Sequence, residues 1–104
     1  MQVRLDQIAS LVADEDRETF LADEAKPHAL AMFFVVVGEA ASKVSPELKA
    51  AYPDLAWEFA RRLRNLIAHE YRRVDWNLLW TIATEDAPRL RADLPQPPPP
   101  EALD

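Results

Sequence analysis

The stretch Leu30-Ala31-Met32-Phe33-Phe34-Val35-Val36-Val37 is apolar on nearly every side of a helix, the pattern of a central bundle helix with neighbours on several sides. The apolar run from Ala29 to Val37 covers about half of the roughly 20 residues that a bilayer crossing requires, so it predicts a buried helix. Gly38 follows it directly, and the missing Cβ lets another backbone approach closely at that point.

Working upstream, Asp23 is placed to cap this helix, Pro27 fits its first turn, and the pattern carries it to about Lys43. A first helix is predicted from Gln2 to Ala13 on the spacing of Leu5, Ile8, Leu11 and Val12, with Asp14-Glu15-Asp16 ending it. Phe20 and Leu21 sit in a short turn or helical piece between the two.

Downstream, Ser45-Pro46-Glu47 reads as cap, first-turn proline and first-turn acid of a short helix that ends before Tyr52-Pro53. Asp54 is expected to cap the next, from Leu55 to about Glu70 or Tyr71, with Leu55, Phe59, Leu63, Leu66 and Ile67 as its buried stripe. Asp75 then caps a helix from Trp76 to about Arg91, with Leu79, Ile82, Ala83 and Leu90 facing inward and Pro88 kinking it. Pro95-Gln96-Pro97-Pro98-Pro99-Pro100 cannot continue a helix and reads as a disordered polyproline tail. The expectation is an all-α protein, an antiparallel bundle of four to five helices over 1–94 with a Pro-rich tail over 95–104.

The 104 residues suffice for one domain, and 49% apolar with 29% charged residues can build a core in water. The absence of cysteine removes disulfides, zinc-thiolate sites and thiol catalysis. The N-terminal segment lacks the apolar core and cleavage site of a signal peptide, so a cytoplasmic location without membrane attachment is expected. A net charge of −6 argues against a general nucleic-acid binder, but its distribution does not. Between Arg61 and Arg73 five arginines face a single acid, Glu70, giving +4 locally and −10 over the remainder.

On a wheel that continues the fourth helix to Arg73, residues Arg61, Arg62, Arg64, Asn65, Ala68, His69, Arg72 and Arg73 fall within one half-turn. Leu63, Leu66 and Ile67 take the opposite arc. Arg64 and His69 are five positions apart, hence about 7.5 Å along the axis and about 140° around it, too far for easy convergence from one helix. Asn65 and His69, at i and i+4, lie together, so the amide could orient the imidazole. A two-fold dimer pairing this face with its copy would gather two arginines and two histidines at one cleft. An arginine holding phosphate beside a histidine that titrates near neutrality is the minimum equipment for attack of an RNA 2′-hydroxyl on its neighbouring phosphate. No clustered carboxylate pair or second nearby histidine suggests a two-metal site.

Arg64-Asn65-x-x-x-His69-x-Tyr71 resembles the RNxxxHxY motif of HepT-like proteins in the HEPN superfamily, the DUF86 type. Phe20-Leu21, Gly38-Glu39-Ala40-Ala41, Ser45-Pro46-Glu47-Leu48, Tyr52-Pro53, Trp57, Val74-Asp75 and Trp80 follow the family order, so the likeness spans roughly Leu5 to Leu94. The resemblance implies a homodimeric, metal-independent endoribonuclease without a cofactor, the toxin of a type II/VII-like toxin–antitoxin pair acting on RNA, with tRNA as the expected class. It implies Arg64, His69 and Asn65 as catalytic residues; the local excess of positive charge adds Arg61, Arg72 and Arg73 as expected RNA-binding cations. The implied partner is a minimal nucleotidyltransferase (MNT) antitoxin that adenylylates Tyr71. On the same wheel Tyr71 lies about 20° from Arg64, where an anionic adenylyl group would neutralise the phosphate site.

The alternative is a non-catalytic HEPN module that binds nucleic acid or protein beside a nucleotidyltransferase. For individual residues, His28 reads as structural, Tyr71 competes as a bundle-edge phenol, and Glu39 suits a salt bridge to an arginine as well as a site role. Trp57, Trp76 and Trp80 read as core or dimer-edge packing.

Overall fold

The computed structural model describes residues 1–94, and the Pro-rich tail expected at 95–104 lies outside them. Seven α-helical segments follow in order, with no strand among the described residues: α1 (Gln2–Val12), α2 (Arg17–Ala22), α3 (Lys26–Ser42), α4 (Pro46–Ala51), α5 (Trp57–His69), α6 (Trp76–Thr81) and α7 (Ala87–Asp93). A 3-10 turn, Tyr71–Arg73, joins α5 to α6, and a π turn, Ile82–Asp86, runs α6 into α7.

Local chemistry sets most of the ends. Asp14, at φ 60°, turns the chain away from α1 in the left-handed region that aspartate tolerates better than most residues. Asp16 caps α2, accepting from the Thr19 backbone N–H at 2.8 Å and its hydroxyl at 3.1 Å. That backbone bond, then the hydroxyl, holds the Asp16 carboxyl below its ordinary range. Ala25, not Asp23, occupies the cap position of α3, yet the Asp23 carboxylate accepts the N–H groups of Ala25 and Lys26 at 2.8 and 2.9 Å. Ser45 and Asp75 cap α4 and α6 through the N–H groups of Leu48 and Leu78.

The fourth expected helix starts later than its sequence suggests. Asp54 does not cap it; α5 begins at Trp57, whose buried indole donates Nε1–H to the Tyr52 carbonyl at 3.0 Å and holds the chain in a turn until the ring is seated. Its buried stripe is Trp57, Ala60, Leu63 and Ile67, whereas Phe59 and Leu66 are 47% and 42% exposed. The rotation follows from the seam with α3. A Cβ on Gly38 would stand 2.7 Å from the Ala60 carbonyl oxygen and against the Arg64 side chain, so α5 turns its small residue towards the glycine.

The disturbance expected at Pro88 takes the form of the π turn. Pro88 has no N–H to give the Thr84 carbonyl, and its ring crowds that oxygen. The turn before it widens accordingly, so that Ala87 N–H bonds the Ile82 carbonyl five residues back.

The core is one cluster built round α3 and α5, with α1, α2 and the α6–α7 path packed outside. Leu30, Ala31, Phe34 and Val37 carry the α3 contribution. Phe20 is fully buried against Trp80, ring centroids 5.1 Å apart. Coverage of α3 is incomplete, since Met32 is exposed and Phe33, Val35 and Val36 are only half-buried.

Candidate active site

Arg64 stands at the α3–α5 seam. Its aliphatic stem packs over Gly38, and its Nη1 pairs with Glu39 Oε1, so consecutive α3 residues supply the space and the counter-charge. This resolves Glu39 as an ion-pair partner of Arg64. The guanidinium Nε is buried and has no acceptor among the described residues. An unmet buried donor of this kind costs about 1–3 kcal/mol, more when charged, so Arg64 retains capacity for a further acceptor.

His69 is the last residue of α5 and is exposed; Asn65 lies one turn earlier and is half-buried. No side-chain hydrogen bond joins the two among the described residues. Both Arg64 and His69 belong to the regular helix, so their separation of about 7.5 Å in rise and about 140° in azimuth stands, and one chain does not converge them.

The wheel fails beyond His69. Glu70, at φ −133° and ψ 43°, leaves the helix, and Tyr71, Arg72 and Arg73 form the 3-10 turn. Buried Val74 and the Asp75 cap require the chain to turn back into α6 within a few residues, which a longer α5 would prevent. Tyr71 therefore does not sit above Arg64 on a helical face. It folds towards the start of α3, where its hydroxyl meets His28 Nδ1, and its ring packs against His28 and Trp76. Arg72 and Arg73 likewise leave the arc shared by Arg61 and Arg64.

The basic residues differ in their engagement. Arg61 donates Nε–H to Glu58 Oε2 at 3.1 Å, and Arg62 stands 3.5 Å from the same carboxylate. The Arg61 hydrogen bond, ahead of its charge, holds the Glu58 carboxyl below its ordinary range. These pairs are exposed and screened. Arg72 and Arg73 are exposed and make no ion pair with another described residue. They line, with Ala68, His69, Glu70 and Tyr71, an open concavity of about 530 Å³ at the end of α5. Among the described residues no group of three His, Asp or Glu side chains is placed to hold a metal ion, and no helix is long and apolar enough to cross a membrane.

His28 has no candidate partner near it in the chain and reads from sequence as a structural residue. Tyr71 lies 43 residues away, and only the bundle brings them together.

Comparisons with known proteins agree with the motif. A probable ribonuclease HepT of Thermococcus cleftensis is 31% identical over 74 residues, covering 71% of this chain and 67% of the relative. Two proteins of Methanocaldococcus jannaschii, each named "Putative RNase", are 25% identical over 87 residues (84% of this chain, 80% of the relative) and 26% over 89 residues (86% and 77%). No solved structure matches. The family model described as ribonuclease HepT-like matches residues 1–96. With the Arg64–Tyr71 motif intact on an all-helical bundle, the chain belongs to the HepT-like ribonuclease family.

Proposed function

We propose that the protein is a metal-independent endoribonuclease acting as a two-fold dimer, the cytoplasmic toxin of a pair whose antitoxin is a minimal nucleotidyltransferase. The observation that carries this reading is the state of Arg64. Its stem is pinned at the Gly38 seam, one nitrogen is held by Glu39, and Nε remains without an acceptor. A phosphate oxygen from a substrate would meet that need once Arg64 turns outward.

His69 takes the proton from the RNA 2′-hydroxyl as that oxygen attacks the adjacent phosphorus. Arg64 holds the non-bridging oxygens, and the 5′-oxygen leaves to give a 2′,3′-cyclic phosphate. The divergence of Arg64 and His69 on α5 favours a site completed by a second copy. The half-covered face of α3 and exposed Phe59 and Leu66 supply apolar surface for that pairing. Asn65 lines the same cleft, and Arg61, Arg72 and Arg73 hold flanking phosphates of a single-stranded RNA, tRNA being the class in view. Tyr71 is the modification site. Tyr71 lines the concavity together with His69, Arg72 and Arg73, and an adenylyl group carried on its phenol would offset the charge of both arginines.

The test is RNA cleavage with EDTA present. Wild type should cut, and substrate carrying hydrogen for the 2′-hydroxyl at the scissile position should not be cut. Cleavage of that deoxy substrate would sink the mechanism. Arg64→Ala and His69→Ala should remain dimeric by sedimentation and lose activity.

The Glu39–Arg64 pair gives the second reading its support, because a guanidinium already neutralised could serve a non-catalytic binding module beside a nucleotidyltransferase. An inert wild type that binds RNA or the transferase with unchanged affinity after Arg64→Ala would favour it.

A further inference from the structure

Three separate elements converge on one phenol. His28 lies in the first turns of α3, Tyr71 in the 3-10 turn and Trp76 at the start of α6. The His28 and Tyr71 rings lie within 25° of parallel with centroids 5.7 Å apart, and Trp76 stands edge-on to both, at 5.1 and 5.7 Å. This packing fixes the Tyr71 ring while directing its hydroxyl at His28 Nδ1. In the neutral imidazole with its proton on Nε2, Nδ1 is an acceptor, so the phenol donates to it. Tyr52 supplies the comparison within the same chain. It is 38% exposed against 42% for Tyr71, and it has no imidazole beside its hydroxyl.

We propose that His28 is the general base for nucleotidyl transfer onto Tyr71, an inference that rests on reading Tyr71 as the modified residue. Tyr71 Oη attacks the α-phosphorus of a nucleoside triphosphate presented by the transferase. The Oη–P bond forms, the bond from the α-phosphorus to the bridging oxygen of the β-phosphate breaks, and pyrophosphate leaves. The phenolic proton passes to His28 Nδ1. The resulting imidazolium stands beside the new anionic phosphodiester and can release its Nε2 proton to solvent, leaving Nδ1–H as a donor to the product. His28 thereby acquires a function that its lone position in the sequence gave no reason to suspect.

The experiment needs no partner. The full chain is treated with N-acetylimidazole, which acetylates phenolic oxygen, and labelling of Tyr71 and Tyr52 is followed by peptide mass spectrometry. Similar exposure predicts similar rates unless a base assists; assistance should make Tyr71 faster by about tenfold or more, a conservative share of what a positioned base supplies. His28→Phe keeps an aromatic ring for the packing, and His28→Gln keeps a hydrogen-bonding group without a base. In whichever folds, as judged by its melting curve, Tyr71 should fall to the Tyr52 rate. Equal rates in wild type, or an undiminished Tyr71 rate in His28→Gln, would overturn the proposal. Co-expression with a minimal nucleotidyltransferase separates the two readings. A fast, His28-dependent Tyr71 that never carries a nucleotide counts against Tyr71 as the modification site, whereas a nucleotide added at the wild-type rate in His28→Gln counts against His28 as the base.

Discussion

Replacing Gly38 with Ala tests the seam on which both the fold and the candidate site depend. The new Cβ would lie 2.7 Å from the Ala60 carbonyl oxygen and 2.9 Å from Arg64 Cγ, and closer still to Arg64 Cβ. Real Cβ atoms do not tolerate such separations. The obstructing atoms are backbone and the root of a side chain, so rotation at a flexible tip cannot relieve them, and α3 and α5 must part. Overpacking of this kind costs about 1–3 kcal/mol, occasionally more. Against it, alanine in a helix interior gains about 1 kcal/mol over glycine. The rigid obstruction places the cost at the upper end, for a net loss of about 1–2 kcal/mol. For a domain of this size that lowers the melting temperature by about 5–15 °C. Activity should fall further than stability, because the displaced group is the root of Arg64, and a misplacement near 1 Å can cost about a hundredfold in rate. Thermal melts and RNA cleavage at a temperature where the variant is fully folded would measure both. A variant as stable as wild type, or more stable, would refute the close approach of α3 and α5.

Leu79→Ala removes a side chain that is 2% exposed and should cost about 2–5 kcal/mol in urea denaturation. Glu39→Gln removes the counter-charge but keeps a hydrogen-bond acceptor for Arg64; RNA binding should strengthen while the rate at saturation falls, because the guanidinium is freed but less firmly placed. Arg72→Ala with Arg73→Ala should flatten the salt dependence of RNA binding by about 1.4 in log–log slope, two single-strand phosphate contacts at about 0.7 each, with melting unchanged. Asp16 titrates below the ordinary Asp value of 3.8, so its contribution is complete above that value in the unfolded chain and is lost as pH falls through the lower folded value. Asp16→Asn, which still caps, should leave melting at pH 7 nearly unchanged and reduce the acid sensitivity below about pH 4.

Caps, breaks and helical type were legible because they depend on residues within about four positions of one another. Ser45 and Asp75 cap where expected, Pro88 disturbs the last helical path, and the single glycine marks the close approach. The rotation of α5 was less legible. Phe59 and Leu66 flank the apolar arc, and the sequence cannot weigh them against Ala60 without knowing that α3 presents a glycine to it. Asp54 misled because the burial of Trp57, a tertiary requirement, delays the helix past an otherwise suitable cap.

By itself the sequence determined an all-helical bundle, an intact Arg64–Tyr71 motif and a local excess of positive charge, since periodicity, spacing and composition are properties of the chain. Tertiary structure decided that Arg64 pairs with Glu39, that α5 ends at His69, and that Tyr71 leaves the arginine face for His28 and Trp76. Those outcomes depend on groups separated by 25 and 43 residues, brought together when the helices bury a common core, a juxtaposition that no local pattern encodes.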